Sequence, residues 1–324
     1  MTKSQDYLLS VVVPVYNEGA GIAGFHASLL DSIKPAHINN FEIVYVNDGS
    51  TDDSLAKLRV LAKDYSRVRV LSLSRNFGKE IATTAGLHAA AGDAIITIDA
   101  DGQHPPELIP KFVERWQAGA KVVIGVRQSN QHEGLVKHYG SKIFYKTYNR
   151  LIGIKMIPGS SDYRLIDRSV QQEFVRMTER SRITRGLIDW LGYRREYIKF
   201  KANPRLGSSA GYSYKKLMKL FVDSMVSMSK SPLYISAYLG VIILPLSTLI
   251  GLVMVVDALL GDPLNINATG SAYIVVLLLF LVGVLLVSQG IIGLYLSHIH
   301  TETQNRPLYI IDKEGSANLN EGSA

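Results

Sequence analysis

The sequence predicts an α/β fold, a mainly parallel sheet with helices on both faces, followed by a two-helix membrane hairpin. Over the first 127 residues, short β-branched runs alternate with helical stretches. The runs Leu8–Val15, Phe41–Val46, Val68–Leu73, Ala94–Ile98 and Lys121–Val126 read as apolar on both faces, as strands buried from two sides must be. Further along, Leu233–Val256 and Ala272–Ser297 are 24 and 26 residues without a charged side chain. Each exceeds the ~20 helical residues that a hydrocarbon core requires.

The 324 residues, 47% apolar and 19% charged, suffice for one large domain with an appendage or for two ordinary domains. Wholesale disorder is excluded by the evenly spread apolar content. With no cysteine there is no disulfide framework, thiolate nucleophile or cysteine zinc site.

Helical patterns near Gly21–Ser32, Asp53–Asp64, Lys79–Ala91 and Pro106–Ala118 supply the crossovers between parallel strands. Each strand ends in polar residues: Tyr16-Asn17-Glu18, Asn47-Asp48-Gly49-Ser50, Ser74-Arg75-Asn76, Asp99-Ala100-Asp101, then Arg127. Ligands of such sheets bind outside the carboxyl ends of the strands, so the polar groups converge where a ligand belongs.

From Lys137 to Lys219 there are 19 Lys or Arg against 6 Asp or Glu, a local net charge of +13 in a chain of +7. No nucleic-acid module accompanies it, and adjacent spans favour an anionic membrane surface as the partner, not nucleic acid. Tyr139, Ile143, Phe144, Leu151 and Ile152 share one helical face, as do Leu217, Leu220, Phe221, Met225 and Met228. Both read as interfacial amphipathic helices or as helices packed on the sheet. The loop Gly261–Ser271 holds no Lys or Arg, whereas Lys215, Lys216, Lys219 and Lys230 precede the first span and Arg306 and Lys313 follow the second. Both termini are therefore expected to be cytoplasmic. Leu8–Val15 is too short, and broken by Pro14, to act as a signal peptide. The expected divisions are 1–212 for a cytoplasmic domain, 213–231 for a juxtamembrane amphipathic helix, 232–298 for two transmembrane helices and 299–324 for a cytoplasmic tail. Within that tail, Glu314–Ala324 is expected to be disordered.

Asp99 and Asp101, one residue apart at a strand end, can share a divalent cation, and hard oxygen ligands suit Mg²⁺ or Mn²⁺. Gln103 offers a third oxygen. The same pattern also occurs as a plain turn or helix cap. Ser50 with Asp53 reads as a capping box, which leaves Asp48 free to meet a base or sugar. Glu18 either caps a helix or reaches a ribose. His88, His104, His298 and His300 show no metal-ligand spacing and read as structural or solvated. Asn267-Ala268-Thr269 matches a glycosylation sequon, a short pattern of little weight.

The chain resembles family 2 glycosyltransferases. The resemblance rests on Val12-Val13-Pro14-Val15-Tyr16-Asn17-Glu18, Asn47-Asp48-Gly49-Ser50-Thr51-Asp52, Ser74-Arg75-Asn76-Phe77-Gly78-Lys79 and Asp99-Ala100-Asp101, in that order. Pro105-Pro106-Glu107, Asp162-Tyr163-Arg164-Leu165-Ile166-Asp167, Arg185-Gly186-Leu187 and the two long apolar runs narrow it to the polyprenyl-phosphate type. That type includes dolichol-phosphate mannose synthases and bactoprenol glucosyltransferases, and the likeness covers roughly residues 8–310.

The resemblance implies a GT-A-like mixed, mainly parallel sheet and a metal-dependent, inverting transfer. The sugar would pass from a UDP- or GDP-linked donor to a polyprenyl (undecaprenyl or dolichyl) phosphate. By motif, Pro14, Tyr16, Glu18, Asp48, Lys79, Asp99, Ala100 and Arg127 would hold the nucleotide sugar, and Asp99, Asp101 and Gln103 the metal. Asp101, Asp162 and Arg164 would be catalytic, with Arg164, Arg205 and Lys201 at the acceptor phosphate. The family often has Leu and Asp where this chain has Gly102 and His104. Its Gly-x-Ser-Lys-Tyr pattern reads Gly207-Ser208-Ser209-Ala210-Gly211-Tyr212 here, so Lys215 or Lys201 would replace the lost Lys. A homo-oligomer is compatible with relatives that are monomers or tetramers. A processive polysaccharide synthase would need Gln-x-x-Arg-Trp, but Phe112 precedes Arg115-Trp116. A lipid-flipping or transport component would need polar groups in its spans, which carry no Lys, Arg or Glu.

Overall fold

The first strand, β1 (Leu9–Val15), is almost wholly buried, because its β-branched side chains pack against helices on both faces. The computed structural model describes residues 7–34, 38–128, 159–180, 182–201, 249, 256, 260 and 270–319. Two compact units result, residues 1–211 with 306–324, and residues 212–305.

In the first unit β1 is followed by α1 (Ile22–Ile33), β2 (Phe41–Asn47), α2 (Ser54–Asp64), β3 (Val68–Leu73), α3 (Lys79–Ala89) and β4 (Ala94–Thr97). A 3₁₀ turn (Pro106–Leu108), α4 (Ile109–Gln117) and β5 (Val122–Arg127) follow. Next come β6 (Ser160–Asp167), α5 (Arg168–Arg176), α6 (Thr184–Trp190) and β7 (Arg195–Phe200). The eight strands lie in the order β7-β5-β6-β4-β1-β2-β3-β8, where β8 is Ile311–Ala317. β1 pairs in parallel with β2 and β4, β2 with β3, and β5 with β7. β6 and β8 run antiparallel to their neighbours. One core lies on each face of the sheet: Phe25, Leu29, Phe112 and Trp116 on one side, Leu71, Ala85, Val170 and Phe174 on the other.

Three strands were not anticipated. β6, with Asp162 and Arg164 among its residues, inserts antiparallel between β4 and β5 and carries Asp162 to the site. β7 extends the sheet beyond β5. β8 corrects the expectation that residues from Glu314 onward are disordered. It pairs with β3, and the Asn318 side chain donates to the carbonyls of Ala62 and Val68 at 2.8 Å each. Small polar residues suit this edge, since a Cβ on Gly315 would come within 2.6 Å of an Asp312 oxygen.

The expected capping box is also corrected. Ser50 Oγ accepts the Asn17 N–H, and Asp52 rather than Asp53 accepts the N–H of Ser54. Asp53 pairs with Lys57 one turn on, at 2.7 Å.

In the second unit the backbone of α7 (Gly270–Thr303) is helical over 34 residues, with no Asp, Glu, Lys or Arg before Glu302. Among the residues whose side chains are described, no helix is long and apolar enough to cross a membrane. The first apolar run, apart from Leu249 and Val256, and both amphipathic faces, at 139–152 and 217–228, lie outside the described residues.

Candidate active site

Backbone geometry at the ends of β1, β2 and β3 builds one wall of the site. Asn17 adopts a left-handed conformation (φ 55°), and its side-chain oxygen accepts the Thr51 N–H at 2.9 Å. Gly49 (φ 64°) lets the β2 loop touch the loop after β3, since a Cβ there would meet the Arg75 carbonyl carbon at 2.4 Å. Beside it, the buried Asp48 carboxylate accepts the N–H of Phe77 at 2.7 Å and of Gly78 at 3.0 Å. Burial pushes the Asp48 carboxyl up, and those two N–H groups oppose the rise. The carboxylate is therefore engaged in seating the Arg75–Gly78 loop. Each oxygen has one protein donor and keeps a second lone pair with which it can accept from a base.

That loop aims Lys79, the first residue of α3, across the site. Its ammonium lies 2.7 Å from Asp99 Oδ1, 2.8 Å from Asp99 Oδ2 and 3.0 Å from Asp162 Oδ2. Asp99 follows β4 and Asp162 belongs to β6, so antiparallel pairing of those strands brings the two acids together. The Thr97 hydroxyl donates to the Asp162 carbonyl and ties the strands at that point. Burial alone would raise the Asp162 carboxyl. The charges of Lys79, Arg185 and Arg164 overcome it and hold the group well below the usual carboxylate range.

Asp101 is buried, and its Oδ1 accepts the Gln103 N–H at 3.0 Å, which closes the turn after Ala100. Ala100 packs its methyl into the core and can present only its backbone to a ligand. The Asp99 N–H donates to His104 Nδ1 at 3.2 Å, and the imidazole stacks on Tyr163 at 5.2 Å. Burial lowers the His104 pKa, so the ring is neutral and structural. His88 is half-buried, at 3.1 Å from the Tyr309 hydroxyl. Among the described residues no three His, Cys, Asp or Glu gather as a metal site. Asp99 and Asp101, two carboxylates one residue apart after β4, would offer hard oxygen ligands to a divalent ion, with substrate oxygens completing its shell.

The sequence expectations for arginines need revision. Arg164 is 1% exposed, and its guanidinium donates to the carbonyls of Arg185 and Ser161 and meets Asp189 at 3.5 Å. It is a buried positioning group that acts on Asp162 by its field, not an open phosphate ligand. Arg127 ends β5 exposed, and Lys201 is exposed just past β7, whose Phe200 pairs with Arg127. These two cations share a rim. Arg205 lies outside the described residues. Pro14 is half-buried, Tyr16 is exposed, and Glu18 caps α1 through its carbonyl, which accepts from Gly21 and Ile22.

Sequence reasoning missed Glu80. Its carboxylate accepts the Thr184 N–H at 2.8 Å and so fixes the start of α6. Burial and nearby Asp162 push its pKa up, opposed by Thr184 and the Arg185 charge. Its place beside Lys79 at the start of a helix was the only local signal. Arg115-Trp116 is structural: Arg115 pairs with Glu196 at 3.2 Å, and the Trp116 indole donates to Asp167 at 2.7 Å.

A GT-A-like sheet with an acid pair after one strand is the frame of a glycosyltransferase. Residues 10–174 match the family described as Glycosyl transferase family 2, and the chain belongs to that family. An uncharacterized glycosyltransferase of Synechocystis sp. (strain ATCC 27184 / PCC 6803 / Kazusa) is 40% identical over 303 residues, 94% of each chain. The SfII prophage-derived bactoprenol glucosyl transferase of Shigella flexneri is 36% identical over 313 residues, 96% of this chain and 99% of that protein. Among solved structures, mannosyl-3-phosphoglycerate synthase from Rubrobacter xylanophilus is 18% identical and covers 68% of this chain and 72% of that one, at a TM-score of 0.49. That likeness is weak and says nothing of substrate.

Proposed function

We propose that this glycosyltransferase moves one sugar from a UDP- or GDP-linked donor to a polyprenyl phosphate, with inversion at the anomeric carbon. The observation that carries the reading is the bridge Asp99–Lys79–Asp162, in which one ammonium holds the acid after β4 and an acid of β6 together. Near-full-length similarity to bactoprenol glucosyl transferases supports the lipid acceptor. Pro14, Tyr16, Glu18 and Asp48 would line the nucleoside, and Arg127 would meet phosphate.

Asp99 and Asp101, with Gln103 beside them, would hold Mg²⁺ or Mn²⁺, which neutralises charge on a leaving diphosphate. The acceptor phosphate has a second pKa of about 6, so its oxygen is already largely ionised at pH 7. An oxygen lone pair of the acceptor phosphate forms the new bond to the anomeric carbon as the bond to the diphosphate breaks, and the nucleoside diphosphate departs with the electron pair of the broken bond. No proton need be removed. The protein's task is to hold two phosphate-bearing substrates in line. Asp162 would orient the acceptor through its cationic neighbours, and Lys201 with Arg205 would bind its phosphate.

We place the catalytic unit on the cytoplasmic face of a membrane, held by two spans within 232–298, with both termini cytoplasmic. The uncharged runs of 24 and 26 residues support this, and the +13 segment suits an anionic lipid surface. Assembly as a homo-oligomer is compatible with the reading. The deciding experiment offers the full chain in detergent a panel of radiolabelled nucleotide sugars with polyprenyl phosphate. Label extracted with the lipid is expected, and label released only as free sugar overturns the acceptor assignment.

A further inference from the structure

We propose that Lys79 is a resident competitor for the divalent cation, occupying the Asp99 seat until donor and metal displace it. The inference rests on the metal reading above and concerns a step that precedes transfer. The ammonium touches both oxygens of Asp99, at 2.7 and 2.8 Å, so both oxygens that a metal ion would draw on already face a cation. A metal ion and an ammonium cannot share those oxygens without strong like-charge repulsion, because their separation would be that of a contact pair.

Two features make the competition a built property. The backbone that launches Lys79 is preset: Gly78 has φ 98°, and Asp48 holds the N–H groups of Phe77 and Gly78. The side chain is also able to leave. It is 45% exposed, and Asp162 Oδ2, at 3.0 Å, offers a second carboxylate when Asp99 is taken. The seat is therefore neutralised in the resting enzyme. Metal binds weakly alone and better when a diphosphate adds negative charge, which also gives the ammonium a new partner. By linkage, the donor must bind better with metal to the same degree.

The test is Mn²⁺ binding, read by electron paramagnetic resonance on the full chain in detergent, without and with UDP or GDP. Wild type is compared with Lys79→Met and Lys79→Arg, and melting temperatures confirm folding. Removing the competing charge should tighten Mn²⁺ binding without nucleotide at least fivefold in Lys79→Met. Lys79→Arg keeps the charge and should stay close to wild type. Equal or weaker binding by Lys79→Met overturns the proposal, as does Lys79→Arg binding as tightly as Lys79→Met. If Lys79→Met fails to fold, Lys79→Gln replaces it under the same criterion. Absence of Mn²⁺ binding by wild type with either nucleotide overturns the metal reading and this proposal together. Bound Mn²⁺ with no Lys79 effect overturns only this one.

Discussion

Asp162 and Lys79 are 83 residues apart in the chain and 3.0 Å apart in the site. The contact joins the N-terminus of α3 to a strand that the sequence pattern did not reveal, and it decides how Asp162 can act. A carboxylate beside an ammonium, with the fields of Arg185 and Arg164 added, is a weak proton acceptor.

The first prediction concerns pH. The folded-state pKa of Asp162 is depressed, so its stabilising contribution is present above the unfolded value near 3.9 and fades only as pH falls toward the folded value. Asp162 therefore changes charge nowhere between pH 5 and 8. An acidic limb near pH 6 in the rate profile should belong to the acceptor phosphate and should move with a phosphonate acceptor of different pKa. A limb that ignores the acceptor and disappears in Asp162→Asn would make Asp162 the base.

Asp101→Asn should lower turnover at least a hundredfold while melting within a few degrees of wild type. The carboxylate is one of only two at the proposed metal seat, and its Oδ1 contact with the Gln103 N–H survives in the amide. Excess EDTA should have the same effect on wild type. Full activity in EDTA would refute metal dependence.

Arg164→Met should destabilise the first unit by about 3 kcal/mol, because Asp189 loses a buried partner and keeps, among the described residues, Arg195 at 3.6 Å. Thermal melting in detergent measures this. An unchanged melting temperature with a raised KM for lipid acceptor would restore Arg164 as a phosphate ligand.

Asn318→Ala should cost about 1–2 kcal/mol, since it removes a donor to the carbonyls of Ala62 in α2 and Val68 at the start of β3. Deleting residues 309–324 should cost more, because β8 and the His88–Tyr309 contact go together. A disordered tail would show neither loss.

The strands β1 to β5 were legible in the sequence because a strand buried on both faces must be apolar throughout, and Leu9–Val15 and Val68–Leu73 contain little else. The acid pair was legible too, since Asp99 and Asp101 are one residue apart and follow such a strand. What tertiary structure alone decided is pairing between distant segments. β6 reads Ser-Ser-Asp-Tyr-Arg-Leu-Ile-Asp, with charged residues at positions that an isolated strand would give to solvent. Arg164 is buried there only because Asp189 and two carbonyls meet its guanidinium, 25 residues on or around a turn. The same reason made Asp48 the clasp of the Arg75–Gly78 loop, and polar Ile311–Ala317 an edge strand. Local sequence determines which residues prefer a buried strand or a turn. Whether a charge is a ligand, a clasp or a counter-ion depends on which partner folding brings within about 3 Å, because burying an unpaired charge costs more than any local preference returns.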